Sequence, residues 1–71
     1  MDKFEYARLT RDREARISTW MLDYKDSKDV LESLTNEKLL TVLNVLGEEG
    51  WRVVSIEEAP TRVLLMRKVI S

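Results

Sequence analysis

The side chains that perform most enzymatic chemistry are missing from this sequence. Its 71 residues include no histidine and no cysteine, so the common general base, the thiolate nucleophile and the usual zinc ligands are absent. The acidic pair Glu57-Glu58 lies in a strand-like run, where neighbouring side chains project to opposite faces of a sheet. The sequence therefore predicts a protein that is not an enzyme and that has no metal site and no cofactor.

Arginine and aromatic side chains offer a different chemistry, the binding of anions. Arg8, Arg11, Arg13 and Arg16 cluster next to aromatic residues, which is typical of nucleic-acid patches. Acidic residues interleave with them and the net charge is -1, so a solvated hairpin tip is favoured and nucleic-acid binding is the weakest functional hypothesis. The candidate residues for binding a small anionic ligand are Arg8, Arg16, Tyr24, Arg52, Arg62 and Arg67.

Both glycines lie in the stretch LGEEGW, Leu46 to Trp51. A phosphate-binding loop begins a helix, whereas this stretch ends one, so it does not indicate a phosphate site. Gly50 is predicted just after the helix, where a positive φ is commonly required. Gly47 lies inside the helix, where glycine is unfavourable, and is predicted to allow close approach of the helix to the sheet.

Alternating apolar residues predict two β-hairpins. The first joins KFEYARLTR to ARISTWMLDY through a turn near Asp12-Arg13, and the second joins WRVVSIEE to TRVLLMRKVI at Ala59-Pro60. The segment 25–34 is ambiguous between a short helical turn and a docked loop.

One helix is predicted between the hairpins, with Thr35 as its N-cap. Its buried stripe is Leu39, Val42, Leu43 and Leu46, widened by Leu40 and Val45. Residues 1–71 are thus predicted to form a single α+β domain with the order ββαββ, an antiparallel four-stranded sheet with one main helix packed on one face.

The stretch LNVLGEEGWRVVSI resembles domain-of-unknown-function family 4177, a group of small bacterial and phage proteins. The resemblance rests on a leucine-rich helix end, the Gly-x-x-Gly-Trp of Gly47, Gly50 and Trp51, a following apolar strand and the basic end of RVLLMRK. FEYARL also resembles the first strand of that family, whereas Arg52 stands where it usually has an acid. The resemblance implies a similar fold and makes a phage or mobile-element accessory protein one candidate, but it implies no biochemical activity.

A chain of this size buries only a small core, worth roughly 3–5 kcal/mol, and without cysteine it has no disulfide to reinforce that core. Trp51 is expected in the core, whereas Trp20 is expected on the face that the helix leaves open. We therefore expect a homodimer or larger symmetric oligomer, packed sheet to sheet or edge to edge. The competing explanation is that residues Val30 to Leu34 cover part of the open face. The candidate interface residues are Leu9, Trp20, Leu22, Leu64, Met66 and Ile70.

These observations leave two main functional hypotheses. The first is an interaction or regulatory protein that acts as a homo-oligomer and binds an unidentified protein partner. The second is a binding module that captures or sequesters a small anionic ligand or nucleotide between subunits. No segment has the length and apolarity of a membrane span, and the N-terminal acids are unlike a signal peptide, so we expect no membrane partner and a cytoplasmic location.

Overall fold

One antiparallel sheet of five strands dominates the structure, a computed structural model that describes residues 2–58 and 60–69. The spatial order of the strands is β3-β2-β1-β5-β4. The elements along the chain are β1 (Phe4–Glu14), β2 (Ile17–Tyr24), β3 (Ser27–Val30), a 3₁₀ turn (Glu32–Leu34), α1 (Leu39–Glu48), β4 (Arg52–Glu58) and β5 (Thr61–Lys68). The predicted four-stranded ββαββ fold is therefore wrong: the sheet has five strands and the helix only 10 residues.

The additional strand β3 comes from the segment that the sequence left ambiguous. Lys25 and Asp26 form the turn from β2, with Lys25 at a φ of 56°. The four residues of β3 are all exposed, so they lack the apolar alternation that indicates a strand. The amide of Leu31 extends the pairing by donating to the Trp20 carbonyl at 2.8 Å. Leu34, in the 3₁₀ turn that follows, is buried.

The first hairpin is present, but its turn lies further along the chain than predicted. β1 continues to Glu14, which pairs with Ile17, so the turn is Ala15-Arg16 and not Asp12-Arg13. Ala15 adopts a φ of 57°, a left-handed conformation that glycine or asparagine would signal more clearly. In the second hairpin β4 pairs with β5 and is irregular between Val53 and Ser55. Ala59, half of its predicted connection, lies outside the described residues.

The helix begins at Leu39, after Lys38, and not after the predicted N-cap Thr35. The Thr35 hydroxyl instead donates to the Glu32 carbonyl at 2.8 Å and closes the 3₁₀ turn. Val42 and Leu46 are buried and Leu39 and Leu43 pack against the core, as predicted. The proposed widening of this stripe is wrong, because Leu40 is 70% exposed and Val45 also reaches solvent.

The two glycines have different outcomes. Gly50 takes a φ of 95° after the helix, as predicted, and the next amide, that of Trp51, donates to the Leu46 carbonyl at 3.1 Å. Gly47 is exposed, and a Cβ built on it would meet nothing within 4 Å. The predicted close approach of the helix to the sheet at Gly47 is therefore wrong.

The core lies between the helix and the sheet face that carries Trp20, which is 0% exposed. Ala7, Leu9, Leu22, Val63 and Leu65 share that face, and Leu34, Val42, Leu46 and Trp51 close over it. Trp51 is in the core, as expected. The helix covers the opposite face of the sheet from the one expected, so Leu9, Trp20 and Leu22 are core residues and do not line an open surface.

Candidate functional site

The sheet face that α1 does not cover carries large apolar side chains. Phe4, Tyr6, Ile17 and Val30 are 48%, 55%, 53% and 50% exposed. Cross-strand pairs place them on this face: Tyr6 pairs with Met66, and Val30 pairs with Met21. Paired residues project to the same side of a sheet, so together with Leu64 they form a patch that spans β3, β2, β1 and β5. We call this surface the uncovered face.

Charged side chains divide the uncovered face into a basic end and an acidic end. Lys68 pairs with Phe4, and Arg52 pairs with Met66, at the end where β1 begins. Asp12 and Glu14 lie at the far end of β1, near the hairpin tip. The two ends of the face therefore differ in charge, a difference that we call the charge gradient. Arg8, Asp23 and Arg62 lie between the ends together with the apolar residues, and Lys68 is paired with Asp2 of its own chain.

A second surface, which we call the basic cleft, lies at the end of the sheet where β1 and β4 begin and β2 and β5 end. It is an open cavity of about 730 Å³, within the size range of ligand pockets. Its basic lining residues are Lys25, Arg52, Arg67 and Lys68, against the acidic Glu5 and Glu49. The lining also includes Gly50 and the apolar Phe4, Met66 and Val69.

Arg67 is held in this cleft by an ion pair and two aromatic rings. Its Nε donates to Glu5 Oε1 at 2.5 Å. The guanidinium carbon lies 4.2 Å from the Trp51 ring centroid and 5.2 Å from that of Tyr24. The two rings meet edge to face, with centroids 5.4 Å apart. These contacts fix the orientation of the guanidinium before any ligand arrives.

Glu5 receives hydrogen bonds from two side chains. The Tyr24 hydroxyl donates to Oε2 at 2.5 Å and Arg67 donates to Oε1. The Tyr24 hydrogen bond, followed by that from Arg67, holds the pKa of the Glu5 carboxyl below its ordinary value. The same carboxylate raises the pKa of the Arg67 guanidinium. Glu5 is therefore an anchor for the cluster and is charged at neutral pH.

The structure divides the predicted interface residues among different surroundings. Leu64 and Met66 lie on the uncovered face, half-buried, whereas Leu9, Trp20 and Leu22 are under the helix. Ile70 lies outside the described residues. The prediction that Leu9, Trp20 and Leu22 form part of an open surface is wrong because α1 packs on their side of the sheet.

The predicted anion-binding residues are divided in a similar way. Tyr24, Arg52 and Arg67 line the basic cleft. Arg8 and Arg62 lie on the uncovered face, as their pairing with Leu64 and Thr10 shows. Arg16 is in the hairpin turn at the other end of β1.

Sequence reasoning missed Glu5, Lys25 and Lys68 as cleft residues. Lys25 belongs to a turn and Lys68 to the last position of a strand, and no spacing links them to Arg67. Glu5 alternates with Phe4 and Tyr6, but the sequence does not tell which of these two faces the helix covers, so its position under the helix was not predictable. A charged group in that position needs a partner.

The N-terminal arginines do not form one patch. The Arg11 guanidinium lies 5.2 Å from the Trp20 ring centroid and donates to the Thr61 hydroxyl at 3.1 Å, on the helix side of the sheet. Arg8 lies on the other face. This division gives no support to nucleic-acid binding through the first hairpin.

Among residues 2–58 and 60–69, no three acidic side chains come together in a way that could hold a metal ion. No helix in the same part of the chain is long and apolar enough to cross a membrane.

Comparison with known proteins gives no match: no family model fits the chain, no similar curated protein was found, and no solved structure resembles it. The resemblance to domain-of-unknown-function family 4177, with its implication of a phage or mobile-element origin, therefore stays a prediction. Any functional conclusion has to rest on the uncovered face and the basic cleft themselves.

Proposed function

We propose that this protein is a small, non-enzymatic interaction module that acts as a homodimer, with the uncovered faces of two copies packed against each other. The observation that carries the proposal is the half-exposed state of Phe4, Tyr6, Ile17 and Val30 on one sheet face. A sheet face in contact with water usually presents polar residues. Large apolar side chains exposed together on one face are typical of interaction sites, because soluble monomers rarely expose extensive apolar surface.

The charge gradient favours a second copy as the occupant. If two faces pack about a twofold axis perpendicular to the strands, the basic end of one copy lies over the acidic end of the other. Lys68 is then near Glu14 of the second copy, and Phe4 is near its Ile17. A twofold axis parallel to the strands would place like charges together instead, which is unfavourable. We therefore propose the antiparallel arrangement.

The dimensions of the molecule permit such an interface. Its extents are 46, 23 and 22 Å, and a stable interface needs about 800 Å² from each partner. Most of the sheet face would have to take part. A contact of that size between two sheets, with interdigitated apolar side chains, is the ordinary packing of a β-sandwich.

Light scattering over a range of protein concentrations tests this proposal when combined with two matched variants. Met66→Asp puts a charge in the middle of the apolar patch and should shift the protein to the monomer. Leu40→Asp is the control, since Leu40 is 70% exposed on α1, away from the uncovered face, and should leave the dimer intact. A wild-type protein that is monomeric throughout the concentration range overturns the proposal, as does equal weakening by both variants.

Charge reversal tests the orientation of the two copies. Lys68→Glu and Glu14→Lys should each weaken the dimer, and the double variant should recover much of the lost affinity. Failure of the double variant to recover would argue against the antiparallel arrangement while leaving a face-to-face dimer intact.

The cytoplasmic location expected from the sequence, and a further protein partner for the dimer, belong to the same proposal. Cell fractionation tests the first, and cross-linking in cells followed by identification of the captured protein tests the second.

A further inference from the structure

The basic cleft has an excess of positive charge that its own acids do not neutralise. Glu5 is already bonded to Arg67, and Lys68 is paired with Asp2 at 3.3 Å on the exposed rim. Within the described part of the chain, neither Lys25 nor Arg52 has an ion-pair partner within 4.0 Å, although both line the cavity. The unneutralised charge at the end of the sheet favours an anionic occupant.

Arg67 supplies hydrogen-bond donors in a fixed position. Its Nε donates to Glu5 and the Tyr24 hydroxyl is a further hydrogen-bond neighbour, so part of the five N–H groups of the guanidinium is used within the protein and the rest can donate to a ligand. The side chain is 27% exposed, so water or a ligand reaches it. A guanidinium fork that is already held between two rings loses little conformational freedom when it binds an oxyanion.

Lys25 adds a second cation on the same side of the sheet. Its Nζ lies 5.2 Å from the Tyr24 ring centroid. Lys25 is in the turn after β2 and has a φ of 56°. Lys25 and Arg67 thus both contact Tyr24, which brings two positive charges to one ring. Both cations therefore lie next to Tyr24 and line the same cavity, where each can contact a bound oxyanion.

The aromatic rings themselves are not available to stack on a ligand. Trp51 is buried, with Arg67 over its face, and the Tyr24 ring is contacted by both cations. A nucleobase would therefore find no free platform on Trp51 or Tyr24. The apolar part of the lining, Phe4 and Val69, can cover the carbon skeleton of a small molecule.

We propose that the basic cleft binds the oxyanion group of a small organic acid or phosphate ester, with Arg67 and Lys25 as its direct ligands and Arg52 strengthening the local field. The direct ligands Arg67 and Lys25 belong to a single copy of the chain. Phe4, Arg52, Met66 and Lys68 line the cleft and also lie on the uncovered face, so the proposed dimer would cover that edge of the cleft.

Titrations with inorganic phosphate and with acetate, followed by amide NMR shifts at constant ionic strength, test the proposal and distinguish the two chemistries. At least one probe should give saturable shifts for Gly50 and Trp51. Lys25→Gln should weaken that binding about tenfold, the value of one charge-assisted hydrogen bond. Lys28→Gln, the matched control, removes the same charge three residues away, outside the cleft, and should change the affinity less than about twofold by long-range field alone.

Arg67→Lys separates hydrogen bonding of the anion from simple charge attraction, because lysine keeps the positive charge and lacks the planar guanidinium group. It should weaken binding while the far-ultraviolet circular dichroism stays native. If Arg67→Lys unfolds the protein, the affinities of Arg52→Gln and its control Arg62→Gln for the same anion are compared instead, because both residues are exposed. Arg52→Gln should weaken binding more than Arg62→Gln. Absence of saturable shifts with both probes, or equal effects of Lys25→Gln and Lys28→Gln, overturns the proposal.

Discussion

Replacement of Trp20 by alanine is the sharpest check on which face of the sheet forms the core. Trp20 is 0% exposed and is the largest fully buried side chain. Its Nε1 donates to the Glu37 carbonyl at 2.9 Å, which ties β2 to the segment before α1. Truncation of a buried tryptophan to alanine costs about 3–5 kcal/mol. A domain of 71 residues has a core worth roughly the same, so Trp20→Ala should be largely unfolded at room temperature.

Trp20→Phe separates the two contributions to this loss of stability, the apolar contacts of the ring and the hydrogen bond of its Nε1. The phenyl ring keeps most of the apolar contacts, whereas the hydrogen bond to Glu37, worth about 1 kcal/mol, is lost. Urea unfolding followed by circular dichroism at two protein concentrations about tenfold apart gives the free energy of unfolding for each variant. Both losses should be the same at the two concentrations, because the side chain acts inside one copy.

Two results would refute the assignment of Trp20 to the core. One is a Trp20→Ala variant whose free energy of unfolding falls by less than about 1 kcal/mol, the size of an ordinary surface effect. The other is a loss that grows with protein concentration, as expected if Trp20 lay between two copies. Leu40→Ala is the control, because Leu40 is 70% exposed on the helix.

Two further predictions concern the glycines and the acid dependence of stability. Gly50→Ala should lower the free energy of unfolding by about 1 kcal/mol or more, because alanine is strained at a φ of 95°. Gly47→Ala should raise it by up to about 1 kcal/mol, since its Cβ meets open space. Urea unfolding measures both changes, and equal effects would contradict the different backbone conformations of the two glycines. The hydrogen bonds from Tyr24 and then Arg67 hold the pKa of Glu5 below its ordinary value in the folded state, so its stabilising contribution is fully present above the ordinary value and is lost as the pH falls through the folded value. The difference in free energy of unfolding between wild type and Glu5→Gln should therefore shrink on acidification, and a constant difference would contradict it.

Some local features of the fold were predicted correctly from sequence, because local rules determine them, whereas the first turn, the N-cap and the role of Gly47 were not. The stripe of Val42 and Leu46 follows the helical period, and Gly50 follows from the need for positive φ after a helix. β3 escaped prediction because four exposed residues at the sheet edge carry no burial pattern. The turn at Ala15-Arg16 was not predicted because neither residue is a usual turn former.

The candidate sites were harder to predict than the fold. Alternation correctly placed Trp20 opposite Phe4 and Tyr6, but alternation is symmetric and does not tell which side the helix covers. The face that the helix covers is determined by tertiary packing. For this reason Trp20 was predicted at the surface but lies in the core. The basic cleft joins residues from both hairpins, and Glu5 and Arg67 are far apart in sequence. The contact between Glu5 and Arg67 therefore cannot be predicted from the spacing of residues along the chain.

Simple dimensions explain why a chain of this length leaves sheet area uncovered. The helix has 10 residues and is about 15 Å long, whereas the 11 residues of β1 extend about 36 Å. The helix therefore cannot cover even its own side of the sheet, where Val53 and Ile56 on β4 are still half-exposed. The chain has no second helix in the described residues to cover the other side. We propose that a second copy supplies the further layer, packed on the uncovered face in the antiparallel orientation in which opposite charges meet.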